Sequence, residues 1–167
     1  MISIIVAYDE NRGIGYQNDL PWNPISEDWK HFKATTQGQT VIMGKNTWES
    51  LPCKPLSDRV NMIISRKHSN KFVLSLDKND KPVHVFLGNS LEDAIKQAPT
   101  GKDIFVIGGG YLYNYALKMN LVDQIIASEI FGIHQADTFF PKIDLDQWDY
   151  KLIDVFDKFQ IMQYQKK

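Results

Sequence analysis

The sequence is poor in the residues that form covalent cross-links or metal sites. Cys53 is the only cysteine among 167 residues, so no disulfide can form within the chain and no cysteine cluster can hold zinc. The histidines lack metal-ligand spacing, which favours surface or packing roles for His31, His84 and His134. We therefore expect no bound metal, and the single cysteine fits a protein of the reducing cytoplasm.

An excess of one charge and long apolar runs are also missing. The formal net charge is −1, which argues against general attraction to nucleic acid or to an anionic membrane surface. No run approaches the roughly 18 apolar residues that span a membrane. The apolar start, Ile2–Tyr8, lacks the basic lead and the length of a secretory signal, so we expect a buried strand there. We expect no nucleic-acid or membrane partner.

What the sequence does contain is typical of a globular α/β domain. Hydrophobic residues make up 43% and charged residues 23%, without repeats, linkers or low-complexity segments, which predicts a single domain over residues 1–167. Strand-like and helical segments alternate as far as about residue 120, and a hairpin about Asp157-Lys158 follows. We therefore predict a mixed, mostly parallel central sheet of about eight strands with an antiparallel C-terminal edge and about four flanking helices.

An acidic pair, Glu27-Asp28, stands at the predicted start of a helix. Ser26 is a good N-cap residue, and the pair would lie in the first turn. At about 100° per residue, Asp28 falls at the edge of an apolar stripe and Glu27 points toward water. The stripe consists of Ile25, Trp29, Phe32 and Thr36. Desolvation there would raise the pKa of Asp28 and make it a candidate proton donor, while stabilisation of the helix dipole is the simpler alternative.

Three predicted strand ends carry residues suited to a polyanion. Ile107 leads into Gly108-Gly109-Gly110 and a helix, where the backbone can approach a phosphate, although a tight turn is an equal alternative. The run Gly44-Lys45-Asn46-Thr47 has a similar pattern with a cation, and Ser65-Arg66 adds another. Neither the usual dinucleotide fingerprint nor an NTPase phosphate loop is present. Because ligands bind at the carboxyl ends of open sheets, the pattern favours a dinucleotide with an extra phosphate.

Five motifs occur in the order found in dihydrofolate reductases. They are Ile14-Gly15 through Leu20-Pro21-Trp22, the acid four residues before Phe32, Val41–Ser50, Ile107–Gly110 and Asp137–Pro141. The match runs from Ile2 to the tail strand, so the sequence resembles this family over essentially its whole length. The resemblance implies a monomeric enzyme that transfers hydride from NADPH to 7,8-dihydrofolate, giving 5,6,7,8-tetrahydrofolate for one-carbon metabolism, and that binds antifolate inhibitors.

The resemblance also implies roles around the substrate. It assigns the catalytic carboxylate to Asp28, with Glu27 as the fallback, and gives Trp22 the role of positioning water near the acid. Arg59 would bind the glutamate carboxylate of the substrate, and Ser128 stands where relatives often have a threonine hydroxyl that supports the acid. The other implied substrate contacts are Ile5, Ala7, Phe32, Leu51 and Ile107.

A second set of residues is implied for the cofactor. Lys45, Thr47, Ser65 and Arg66 match cofactor-phosphate positions, which favours NADPH over NADH. The remaining implied contacts are Ala7, Ile14, Leu20, Gly44, Asn46, Ile107, Gly108, Gly109, Gly110 and Tyr113.

Two other functions stay open at the level of the sequence. A reductase of a pyrimidine or another pterin could use the same sheet, although Arg59 indicates a carboxylate tail on the substrate. A dinucleotide-binding module without catalysis is the second alternative. The presence of the acid, Trp22, Arg59 and the glycine turn together disfavours it.

Overall fold

The computed structural model describes the whole chain, Met1–Lys167. The strands are β1 (Ile2–Asp9), β2 (Gly13–Gly15), β3 (Thr40–Gly44), β4 (Val60–Ile64), β5 (Lys71–Leu76), β6 (Pro82–Gly88), β7 (Ile104–Gly108), β8 (Gln124–Ile130), β9 (Thr138–Phe139), β10 (Trp148–Val155) and β11 (Phe159–Lys166). The helices are α1 (Ser26–Thr36), α2 (Lys45–Ser50), α3 (Leu91–Gln97) and α4 (Gly110–Lys118).

Nine of the strands form one sheet in the order β10-β11-β8-β1-β7-β3-β4-β6-β5. The strands from β8 to β6 pair in parallel, whereas β5 at one edge and β11 with β10 at the other pair antiparallel. The predicted mixed sheet, its antiparallel C-terminal edge and its four helices are confirmed, with one strand more than expected. No helix combines the length and apolarity needed to cross a membrane.

The central strands are buried on both faces of the sheet, as their uninterrupted apolar sequences indicate. Ile42 packs with one hydrophobic cluster, which also contains Ile4 and Val106. Its neighbours Val41 and Met43 point to the other face and pack into a second cluster. This alternation fixes the register of β3 between β7 and β4, and it places the ends of all three strands at the same edge of the sheet.

One expectation at the start of α1 is corrected. Ser26 does not cap α1, because the carbonyl of Ile25 accepts the backbone N–H groups of Asp28 and Trp29, and the Ser26 hydroxyl instead lies 3.3 Å from Glu27 Oε2. Between Asp9 and Pro24 the chain also forms β2, which pairs antiparallel with β9. A three-residue strand is too short to give a periodic signal in the sequence.

Mutation of two serines tests whether Ser90 caps its helix and Ser26 does not. The Ser90 side chain accepts the backbone N–H of Asp93 at 3.1 Å and caps α3. Replacing Ser90 by Ala should therefore lower the free energy of unfolding by about 1 kcal/mol. The matched change Ser26→Ala should alter it by less than about 0.5 kcal/mol, as at an ordinary surface position. Urea unfolding of the two variants measures both values, and equal losses would contradict the assignment of the caps.

Candidate active site

A cleft of about 1180 Å³ opens along the edge where the central parallel strands end. Its walls come from the carboxyl halves of β1, β3, β4, β7 and β8, from α1, and from the loop between β2 and α1. Open parallel sheets bind ligands at this edge because the strand ends leave a crevice between their connections. The cleft is therefore the candidate active site.

Asp28 is the acidic residue of the pair that faces the cleft. Its side chain is half-buried and lines the cleft, whereas Glu27 is exposed, as the helical geometry predicted. Ser128 on β8 donates its hydroxyl to Asp28 Oδ1 at 2.6 Å. Desolvation raises the pKa of Asp28, and the hydrogen bond from Ser128 and the charge of His31 oppose this effect only in part. A carboxyl group with a raised pKa is thus fixed in the wall of the cleft.

His31 is a cleft residue whose position the sequence interpretation missed. It lies three residues after Asp28 on the same side of α1, and it lines the cleft. Its Nδ1 is 3.4 Å from Thr35 Oγ1, while its Nε2 is buried and has no protein partner. Burial lowers the pKa of His31, and the charge of Asp28 opposes this effect. The three-residue spacing from Asp28 was the signal that could have placed it here.

The aromatic wall beside the acid differs from the predicted stripe. Trp29 is 44% exposed and lines the cleft, where its ring meets Phe32 edge-on at 6.4 Å. Arg59 lies behind that wall, with its guanidinium carbon 5.9 Å from the centre of the Phe32 ring. Its Nη1 donates to Thr36 Oγ1 at 3.1 Å, and its Nε donates to the carbonyl of Ser57 at 2.8 Å. Arg59 is held next to the cleft but does not line it.

The glycine turn forms the opposite part of the cleft. Gly108 has a φ of +136°, and an added Cβ would lie 3.1 Å from Thr47 Oγ1. A Cβ on Gly110 would lie 2.8 Å from Thr138 Cγ2. A side chain would be strained at Gly108 by its backbone conformation and would press on Thr138 at Gly110, so the bare backbone lines the cleft where α4 begins. The N–H groups of that first helical turn suit a phosphate, and the cradle therefore fits a dinucleotide pyrophosphate.

Arg66 and Lys45, the two cations predicted to bind phosphate, differ in their position relative to the cleft. The exposed guanidinium of Arg66 lines the cleft, 6.0 Å from the ring centre of Tyr111. Lys45 is exposed at the start of α2, where its Nζ is 3.8 Å from Glu49 Oε1, and it does not line the cleft. Arg66, but not Lys45, therefore lies in the lining of the cleft.

Most of the predicted site residues meet in this one cleft. Those that line it are Ile5, Ala7, Ile14, Leu20, Trp22, Asp28, Phe32, Gly44, Asn46, Thr47, Leu51, Ser65, Arg66, Ile107, Gly108, Gly109, Gly110, Tyr113 and Ser128. Arg59 and Lys45 are the two that do not. Cleft residues that the sequence interpretation missed include Trp29, His31, Ser50, Asn89, Glu92, Tyr111 and Tyr115.

The fold and the cleft define the class of the protein. An open parallel sheet whose cleft is lined by a glycine turn, by the cation Arg66 and by a desolvated carboxyl group suits an enzyme that binds a dinucleotide and handles a proton. The sequence model of the dihydrofolate reductase family matches residues 1–165.

Individual relatives agree with this match. The chain is 35% identical to the dihydrofolate reductase of Sus scrofa, with 91% of this chain and 84% of the relative covered. It is 37% identical to the enzyme of Neisseria meningitidis, with 88% and 83% covered, and 34% identical to that of Staphylococcus haemolyticus, with 88% and 80% covered. The chain belongs to the dihydrofolate reductase family, and it is an NADPH-dependent oxidoreductase that reduces dihydrofolate to tetrahydrofolate.

The buried acid should cost stability at neutral pH. The pKa of Asp28 is higher in the folded chain than its value of about 3.9 in an unfolded chain. The cost therefore develops as the pH rises above about 4 and is complete above the folded-state pKa. Asparagine has no charge and keeps a side-chain oxygen for the Ser128 hydroxyl. We expect Asp28→Asn to unfold at a higher urea concentration than the parent at pH 7.

The comparison at low pH is the control for this prediction. At about pH 3 the carboxyl group is protonated in both the folded and the unfolded chain. The urea midpoints of Asp28→Asn and the parent should then converge. A difference of the same size at both pH values would contradict the proposed desolvation of Asp28.

Proposed function

We propose that Asp28 is the residue that promotes protonation of the pterin during reduction of dihydrofolate. The observation that carries this proposal is the half-buried Asp28 carboxyl group in the cleft wall, held by Ser128 Oγ at 2.6 Å. Its raised pKa keeps a larger fraction protonated near neutral pH than for an ordinary aspartate. The group can then bind the pterin amino group and ring nitrogen and support proton transfer to the neighbouring nitrogen.

Ser128 is proposed to orient that carboxyl group. The Ser128 side chain is buried on β8, and its hydroxyl can donate to only one acceptor. The hydrogen bond uses Asp28 Oδ1 and leaves Oδ2 for the substrate. Trp22 is 8% exposed and lines the same cleft, where we propose that its indole positions water near the acid. The indole N–H is a donor only, so it would fix such a water through the water oxygen.

The substrate is proposed to lie between the acid and β1 and β7. The carbonyl of Ile5 accepts the Tyr113 hydroxyl at 2.9 Å and keeps a second lone pair for the pterin amino group. Ile107 would offer its carbonyl to the same amino group, and Phe32 and Leu51 would enclose the aromatic body of the substrate. These groups bind and orient the pterin, and they exclude water from it.

Arg59 is proposed to bind the glutamate carboxylate of the substrate at the rim of the cleft. The contacts of its Nε with Ser57 and its Nη1 with Thr36 fix the guanidinium plane against Phe32. These two bonds leave other N–H groups of the guanidinium unused. A planar guanidinium can bind a carboxylate through two parallel hydrogen bonds. The tail of the substrate would therefore reach past Phe32 to the exposed side of this residue.

NADPH is proposed to bind along the other half of the cleft and to supply the hydride. Gly108–Gly110 would hold the pyrophosphate through backbone N–H groups, with Asn46, Thr47 and Gly44 beside it. Ser65 and Arg66 would bind the extra phosphate, and Ala7, Ile14, Leu20 and Tyr113 would surround the nicotinamide. Lys45 would contribute at the surface, since its ammonium group is paired only loosely with Glu49.

A monomer is sufficient for this proposal, because one chain supplies both halves of the cleft. The exposed thiol of Cys53 fits a reducing compartment, which supports a cytoplasmic location. Antifolate inhibitors would enter the same cleft as the pterin.

The acidic pair provides a matched test of the catalytic assignment. Asp28→Asn should lower the rate of NADPH oxidation with dihydrofolate at pH 7 by about 10²–10⁴-fold, the usual contribution of a general acid. NADPH binding, followed by fluorescence titration, should stay unchanged because Asp28 lies away from the cofactor end. Glu27→Gln removes the exposed neighbour and should keep full activity. An inactive Glu27→Gln variant beside an active Asp28→Asn variant would refute the assignment.

Cofactor preference can be tested with the two cations. Removing a charge-assisted hydrogen bond costs about 1.5–3 kcal/mol, so Arg66→Ala should raise KM for NADPH by about 12- to 140-fold. KM for NADH should hardly change, because NADH lacks the extra phosphate. Lys45→Ala, whose side chain lies outside the cleft, should have a smaller effect on NADPH. An equal rise in KM for both cofactors would show that Arg66 does not recognise that phosphate.

A further inference from the structure

The segment that follows β8 is joined to the loop after β1 through one buried carboxylate. The Asp9 side chain has no solvent exposure. Its Oδ1 accepts the backbone N–H groups of Asn11 at 3.0 Å and Gly13 at 2.9 Å. Its Oδ2 accepts the backbone N–H of His134 at 2.7 Å and lies 3.3 Å from His134 Nδ1. One oxygen therefore holds the local turn, and the other holds a residue 125 positions away.

The imidazole of His134 lies between this carboxylate and the active-site cleft. Its ring meets the indole of Trp22 with 5.8 Å between ring centres and an angle of 66° between planes. Trp22 lines the cleft and is 8% exposed, while the His134 side chain is 30% exposed. An edge-to-face pair of this kind has a preferred geometry, so the imidazole constrains where the indole lies.

The carboxylate in turn fixes the orientation of the imidazole. Asp9 is held as an ionised acceptor, because the N–H groups around it lower its pKa against the opposing effect of burial. An ionised carboxylate only accepts hydrogen bonds, so the proton of the pair lies on His134 Nδ1. The backbone N–H and the ring N–H of one residue thus point to the same oxygen. This double contact restricts rotation of the ring that faces Trp22.

We infer that His134 is a positioning residue for the reaction, which acts by holding Trp22 in the wall of the cleft. This inference rests on the role proposed for Trp22. The turn after β1 does not depend on the His134 side chain, because Asp9 Oδ1 holds it by accepting the backbone N–H groups of Asn11 and Gly13. The backbone N–H of His134 also remains bound to Oδ2 when the side chain is changed. Removing the imidazole should therefore release Trp22 and leave the turn in place.

Two substitutions separate the ring from its hydrogen bond. His134→Asn keeps a side-chain N–H for Asp9 and removes the ring, whereas His134→Phe keeps a ring against Trp22 and removes the donor. An aromatic pair contributes about 0.5–1.5 kcal/mol, so His134→Asn should lower kcat by about 2- to 12-fold. KM for dihydrofolate should change less than about 2-fold, and His134→Phe should recover most of kcat. Ile133→Asn, at a neighbouring position that is 74% exposed, is the control and should retain parental kcat.

A double-mutant cycle tests whether the effect passes through Trp22. On a Trp22→Phe background, His134→Asn should cause much less further loss of kcat, since the indole it positions is absent. Full additivity of the two losses would overturn the inference. So would a parental kcat for His134→Asn, or a loss that His134→Phe does not recover.

A spectroscopic readout makes the test independent of turnover. The chain has four tryptophans, so 5-fluorotryptophan labelling gives four ¹⁹F signals, and Trp22→Phe identifies the signal of Trp22. In His134→Asn that signal should shift or broaden while the other three stay in place. A fully active Trp22→Phe variant would contradict the proposed role of Trp22, and with it this inference. An unmoved Trp22 signal, where Trp22→Phe is impaired, would contradict the inference alone.

Discussion

Parallel pairing of the central strands is the constraint on which the rest of the site depends. Because β1 lies between β7 and β8 and pairs in parallel with both, residues near positions 5, 107 and 128 all lie toward the carboxyl ends of their strands. Two hydrogen bonds join elements at this end of the sheet, from the Tyr113 hydroxyl to the carbonyl of Ile5 and from Ser128 to Asp28. Each joins parts of the chain at least 100 residues apart. The residues proposed to act in catalysis and in cofactor binding are thus positioned by the sheet rather than by the loops alone.

The kind of group that supports the acid matters as much as its burial. A lysine or arginine beside Asp28 would favour the carboxylate and pull its pKa down. Ser128 supplies a neutral donor, which fixes the orientation of the carboxyl group while desolvation still raises its pKa. His31 is placed close enough to affect Asp28, but its own burial disfavours its charged form. The site therefore keeps a protonatable acid at the expense of some stability.

The sequence predicted the sheet, the helices and the orientation of the acidic pair, with Asp28 against the apolar side of α1 and Glu27 toward water, because these depend on periods of two and 3.6 residues. A helical pattern gives the side of α1 on which a residue lies, but not how deeply a neighbouring element covers it. Trp29 was therefore placed in an apolar stripe, although it borders the open cleft. The pairing of β2 with β9 depends on two short segments far apart in sequence, and no local pattern reports it. Motif matching likewise named Lys45 without showing that its side chain lies outside the cleft.

The loop between β1 and α1 is held to the rest of the chain at its start, whereas the hydrogen bonds at its tip, between Tyr16 and Asp19, are local. Asp9 fixes the first turn, and the pairing of β2 with β9 fixes the next residues. Asp137 then accepts the backbone N–H of Gln17 at 2.9 Å, after which Asn18 and Asp19 are exposed. At the far end Trp22 is buried again. Between Gln17 and Pro21 the packing of Leu20 against the cluster of Trp22 is the main tertiary contact, so a closure over the substrate would cost least in this segment.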